Sequence, residues 1–96
     1  MNLDDLLKDK REEILRIAAK HGAYHVRIFG SVARGEARAD SDVGLLVELS
    51  PGRSLLDHAA LQIELEELLG RKVDVVTERG LKTRVRDRVL REAVPL

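Results

Sequence analysis

The chain has no cysteine, so neither a disulfide framework nor a thiolate zinc site is available to it. Aromatic residues are almost as scarce. Tyr24 and Phe29 stand alone, too few to make a platform on which nucleic-acid bases stack. An excess of one charge is also missing: 17 basic and 17 acidic residues cancel to a formal net charge of +0. That balance speaks against general nucleic-acid binding through phosphate electrostatics. No apolar run approaches the roughly 20 residues needed to span a bilayer. The opening stretch, MNLDDLLKDKREE, is charged where a signal peptide would be apolar. Together these absences predict a cytoplasmic protein with no membrane association. What is present suffices for one folded domain over residues 1–96, with 44% hydrophobic content and no sign of disorder. A core this small leaves large pockets in need of a neighbour's surface.

Hydrophobic spacing divides the chain into alternating elements. Leu3, Leu6, Leu7, Ile14, Ile17 and Ala18 fall at helical intervals, and Gly22 follows as a stop, so Leu3 to His21 reads as an amphipathic helix. Tyr24 to Phe29 alternates as a strand, with Tyr24, Val26 and Ile28 on one face and His25, Arg27 and Phe29 on the other. Gly30 ends it, and Ser31 to Glu36 has the length of a short helix before a polar loop. Asp42 to Leu49 is a second strand whose continuous run Val43, Leu45, Leu46, Val47 predicts burial on both faces. After the Ser50-Pro51-Gly52 turn, Ser54 with Asp57 three residues on is a helix N-cap pattern. The helix it opens runs to Leu69, with Leu55, Ala59, Ile63, Leu65, Leu68 and Leu69 as its expected buried surface. Lys72 to Thr77 is a third strand. Leu81 to Val94 is a last helix with Leu81, Val85, Val89, Leu90 and Val94 along its stripe, ended by Pro95. The order α-β-α-β-α-β-α predicts an α/β (α+β) sandwich on a small mixed sheet of about three strands.

Chemistry concentrates between Phe29 and Val47. Gly30 between a strand and a helical turn lets the backbone come close to an oxyanion, Ser31 adds a hydroxyl donor, and Arg34 and Arg38 can neutralise phosphate. Taken alone, the same residues fit a plain strand exit with solvated arginines. Asp42 and Asp74 add weight to the functional reading, since each belongs to an otherwise apolar strand where an unpaired carboxylate is costly. Magnesium takes such carboxylates together with substrate phosphates. The bland alternatives are a turn residue at Asp42 and a solvent-facing edge residue at Asp74.

The run GSVARGEARADSDVGLLVEL resembles the signature of the minimal nucleotidyltransferases of the DNA polymerase β superfamily. That pattern is Gly-Ser, about ten residues, Asp-x-Asp in an apolar strand, and a third acid on a later strand. Gly30-Ser31 matches, ten residues intervene, Asp42 matches the first acid, and Asp74 in KVDVVT matches the third. The likeness extends over nearly the whole chain. It implies that Gly30 and Ser31 hold the triphosphate of ATP and that Asp42 ligates Mg2+. Asp74 would help hold a second ion near the acceptor hydroxyl or serve as its base. It also implies a partner, because short members of this kind are commonly encoded beside a small all-helical HEPN toxin, which they adenylylate as antitoxins.

One position departs from the pattern. The family's second acid falls on position 44, where this chain has glycine. Asp40 makes a shifted Asp-x-Asp pair with Asp42 but sits in the loop, and Glu48 lies two steps too far along the strand to replace the ligand. Three readings follow: an adenylyltransferase with weakened metal binding, a binding module of the same fold that is slow or inert in transfer, and a non-enzymatic regulatory α/β domain. His21, His25 and His58 lie on three different elements at no metal-ligand spacing.

Overall fold

The computed structural model describes residues 3–38 and 40–96. Its elements are α1 (Leu3–Asp9), α2 (Arg11–Lys20), β1 (Ala23–Phe29), β2 (Val43–Leu49), α3 (Leu55–Leu69), β3 (Val73–Thr77), α4 (Thr83–Glu92) and β4 (Val94–Pro95). The four strands form one mixed sheet in the order β3-β2-β1-β4, with β2 and β3 parallel and the other two pairs antiparallel. The expected α+β sandwich is present, with four strands instead of three. The fourth pairs only Val94 and Pro95 with Ile28 and Arg27. Two residues carry no periodicity, and a proline that lacks an N–H is tolerated there because the strand is an edge.

β2 is the centre of the molecule. Val43, Leu45, Leu46 and Val47 are all buried, as its unbroken apolar run predicts. Val43, Leu45 and Val47 join Val26, Ile28, Val73 and Val75 in one core with Leu3, Leu7, Ile14 and Ala18 of α1 and α2 and Leu61, Leu65 and Leu69 of α3. Leu46 faces the other way and is equally buried, while α4 packs against β1 and buries Val89.

The last helix is shorter than Leu81 to Val94, running Thr83–Glu92 with Val94 taken into β4, and three further local expectations are corrected. The leading helix is interrupted at Lys10, although bonds from Lys10 N to Leu6 O and from Ile14 N to Lys10 O carry helical spacing across the junction. No apolar residue lies between Leu7 and Ile14 to hold the charged Lys8–Glu13 stretch straight. In β1, residues 25 and 26 stand together opposite Val47, a bulge in which His25 adopts φ 51°. The extra residue shifts the alternation, so Ala23, not Tyr24, joins Val26 and Ile28 in the core, and Tyr24 is exposed.

The third correction concerns α3. Its buried residues are Leu61, Leu65 and Leu69, while Leu55, Leu56 and Ile63 are 84%, 81% and 55% exposed. Side chains of α3 serve the open edge of β3 and thereby set the helix's rotation. Glu66 Oε2 accepts from Val73 N at 3.1 Å, Gln62 Oε1 accepts from Val75 N at 3.2 Å, and His58 Nε2 donates to the Val75 carbonyl. Residues 58, 62 and 66 share one helical face. Satisfying the edge groups of β3 there turns Leu55 and Ile63 outward.

The N-terminus of α3 carries the capping box read from the sequence. Ser54 Oγ accepts from Leu56 N at 3.2 Å, and Asp57 Oδ2 accepts from Ser54 N at 3.0 Å. That backbone bond is the main reason the Asp57 carboxyl is held below its ordinary value. A carboxyl lowered on folding adds stability above the ordinary carboxylate range, and that contribution fades as pH falls through the lowered value. Ser54→Ala should cost about 1 kcal/mol, a fall of roughly 4–8 °C in Tm for a domain of this size. Thermal melts at neutral pH check this, and an unchanged Tm would contradict the cap's role.

Candidate active site

Register brings the candidate positions together. Phe29 of β1 pairs with Gly44 of β2, and Gly44 pairs with Asp74 of β3, so three adjacent strands carry these residues abreast on one face. Asp42 lies two residues before Gly44, just outside β2, and so shares that face. A cleft of about 300 Å3 opens over this row, lined by Phe29, Gly30, Ser31, Arg34, Ser41, Asp42, Gly44 and Asp74. Gly30, Ser31, Arg34, Asp42 and Asp74, all singled out from the sequence, therefore meet at one place. Arg38 is not among the lining residues; its backbone N–H donates to Ser41 Oγ at 2.8 Å and closes the turn that delivers Asp42.

The segment after Gly30 is a single turn, not the short helix expected over Ser31 to Glu36. Arg34 N bonds Gly30 O at 3.1 Å, Gly35 N bonds Val32 O at 3.1 Å, and Glu36 N bonds Ser31 O at 2.8 Å, with Gly35 at φ 73°. This pattern ends a helix as soon as it begins. The amides from Ser31 to Ala33 precede the turn's first bond. Gly30 has φ 84°, and a Cβ there would meet nothing within 4 Å. Glycine is thus required by conformation, and the space above it is open to a ligand.

Arg34 is already engaged. Its Nη1 donates to both carboxylate oxygens of Glu92 on α4, at 3.1 and 3.2 Å, and its Nε lies 3.3 Å from Glu36. The guanidinium therefore stands at the cleft with its charge shared between two carboxylates. Sequence reasoning missed Glu92, which lies 58 residues from Arg34 and has no local pattern. It also missed Ser41, although the Asp-Ser-Asp loop was a signal, and Phe29, the residue directly before Gly30.

Comparison with known proteins is decisive at the level of family. A model described as a nucleotidyltransferase domain matches residues 9–96. The chain belongs to the nucleotidyltransferase family. It is 44% identical over 94 residues to a chain assigned as a protein adenylyltransferase in Methanocaldococcus jannaschii, covering 98% of this chain and 97% of that one. It is 42% identical over 91 residues to the protein adenylyltransferase MntA of Thermococcus cleftensis, covering 86% and 92%. A solved structure described as a minimal nucleotidyltransferase is 58% identical, with a TM-score of 0.88 over 100% of this chain and 97% of that one. A crystal structure of a toxin–antitoxin with AMP-PNP shares the fold, with a TM-score of 0.76 at 20% identity, covering 88% of this chain and 69% of that one.

The donor set of this nucleotidyltransferase sets a limit on metal binding. Among the described residues, no group of three or more His, Cys, Asp or Glu side chains is placed to hold an ion. Asp42 and Asp74 fit one magnesium that arrives with phosphate oxygens, an ordinary arrangement for that ion. They do not fit two ions clamped about 3.5–4 Å apart, since Gly44 offers no carboxylate to bridge them.

If Arg34 is the phosphate-facing cation, Glu92 competes with the ligand for it. An exposed ion pair is worth up to about 1 kcal/mol. Glu92→Gln should therefore tighten ATP binding by roughly two- to fivefold, and Arg34→Ala should weaken it. Titration calorimetry with ATP and Mg2+ reads both, and equal affinities in all three proteins would remove Arg34 from the site.

Proposed function

We propose that the protein is an antitoxin-type protein adenylyltransferase that binds ATP with one magnesium ion and transfers AMP slowly to a hydroxyl on a helical HEPN-type toxin partner. The observation that carries this reading is the convergence of Gly30, Ser31, Arg34, Asp42 and Asp74 on one cleft. The family assignment and the relatives named as protein adenylyltransferases support the reaction type. The toxin–antitoxin neighbour supports the kind of partner.

Each residue then has a physical task. The open backbone at Gly30 and the Ser31 hydroxyl hold phosphate oxygens, and Arg34 adds positive charge once it leaves Glu92. Asp42 and Asp74 would hold a magnesium ion. The ion supplies charge neutralisation at the phosphoryl group when bound. The acceptor's hydroxyl oxygen forms a bond to the α-phosphorus, the bond from that phosphorus to the bridging oxygen breaks, and pyrophosphate leaves. Asp74, nearest the row's open edge, takes the hydroxyl proton. Transfer of this kind rests on positioning and charge compensation, which a small domain can supply. The missing carboxylate at position 44 lowers its rate.

A second reading has its own observation. Glycine at 44 removes a carboxylate that supports transfer and leaves the other cleft residues in place. A binding module of the same fold is the result if transfer is lost altogether. Partner binding has a candidate surface in either case. The stripes of α1 and α2 are used by the protein's own core, whereas Leu55, Leu56 and Ile63 on α3 face outward.

The test uses α-labelled ATP, Mg2+ and the co-expressed helical partner. Label should pass to the partner, and Asp42→Asn or Asp74→Asn should reduce it at least about tenfold, the scale of losing a metal ligand. Transfer that survives both substitutions would refute the assigned roles. A stable complex with bound ATP and no transfer would select the binding module. Separate elution of the two proteins at about micromolar concentration would refute the partner.

A further inference from the structure

A formal total of +0 hides where the charges stand. Six of the 17 basic residues, Arg79, Lys82, Arg84, Arg86, Arg88 and Arg91, lie on α4 and its approach, with Asp87 as the one acid between Arg79 and Arg91. The rest of the chain holds 11 basic and 16 acidic residues, so positive charge collects at α4 and negative charge elsewhere. Several cations outside this segment are paired, Lys8 with Asp4, Lys20 with Glu64 and Arg53 with Asp57. Among the described residues, none of the six makes an ion pair.

Three of them form a line. Arg84, Arg88 and Arg91 recur at i, i+4 and i+7, on the side of α4 away from Val89, its one buried residue. All three are exposed, and they span about 10 Å along the helix axis. Asp87 and Val85 border the line on either side, and Val85 is the one exposed apolar residue of α4. That composition separates two classes of acidic partner. A protein interface keeps charge out of its centre and places apolar or aromatic anchors there. The surface of this molecule that fits a protein is on α3, where Leu55, Leu56 and Ile63 face outward. A nucleic-acid interface is polar and strongly positive, as the outer face of α4 is. Shape narrows the choice further. A single helix enters the major groove of B-form DNA, whereas the A-form groove of duplex RNA is too deep and narrow for it.

We propose that the outer face of α4 is a docking surface for double-stranded DNA, with Arg84, Arg88 and Arg91 on backbone phosphates. A guanidinium fork matches two phosphate oxygens, and each contact releases condensed counterions. Phosphate contacts position a protein without reading sequence, so the binding has no base preference. Asp87 repels the backbone and keeps the affinity low. DNA binding of this kind is independent of AMP transfer and of the metal site.

Fluorescence anisotropy of a short labelled DNA duplex, followed through a salt series, tests the surface. Three phosphate contacts predict that log K falls against log salt with a slope of about −2.7, and each of Arg84→Gln, Arg88→Gln and Arg91→Gln should flatten it by about 0.9. The triple variant should lose measurable binding with Tm unchanged, because all three side chains are exposed. Arg16→Gln, which removes the same charge from an exposed site on α2, should leave the slope as it is. No saturable binding at low salt would overturn the proposal, as would slopes unchanged in the α4 variants or an equal flattening in Arg16→Gln. A duplex RNA or a polyglutamate chain of the same charge that binds as tightly as the DNA would overturn it too, the first refuting the groove and the second refuting a nucleic-acid partner.

Discussion

The pairing of β1 and β3 to the two edges of β2 is the constraint on which the rest depends. It fixes Phe29, Gly44 and Asp74 in one row across the sheet, and it places Gly30-Ser31 and Asp42 at the same end of it. A slip of one residue would send every side chain in the row to the opposite face. The register is held by burial. Val43, Leu45 and Val47 must face the core with α1, α2 and α3, and Leu46 is buried on the other side, so β2 has no second way to sit. The apolar interior and the polar cleft are thus two faces of the same alignment.

Within that alignment the cleft is shaped as much by neutral contacts as by charge. The backbone at Gly30 is left open by its left-handed conformation, and the turn that follows ends immediately, which keeps the amides near Ser31 at the surface. Arg34 is shared by Glu92 and Glu36, so α4 and the turn together moderate the positive charge at the cleft. Phe29 covers Gly44.

Much of the fold was legible because strong local signals agreed with the tertiary outcome. The unbroken apolar run of β2 announced burial on both faces, and Ser54 with Asp57 announced the start of α3. The residues that gather at the cleft were singled out through their spacing and the resemblance it carried. What escaped were features decided by contacts distant in sequence. The rotation of α3 is set by hydrogen bonds from His58, Gln62 and Glu66 to the edge of β3, against a hydrophobic pattern that placed Leu55 and Ile63 inside. The bulge at His25 shifts the phase of β1 with no glycine to mark it. Gly44 read as a missing ligand, and the cross-strand register shows that the ring of Phe29 lies against it.

The proposed function turns on a nucleotidyltransferase cleft that is one carboxylate short and would therefore work with a single divalent ion. The most direct test is the Mn2+ stoichiometry of the wild-type protein saturated with a non-hydrolysable ATP analogue. The account predicts one tightly bound ion per protein–nucleotide complex, lost in Asp42→Asn. Two tightly bound ions per complex would contradict it.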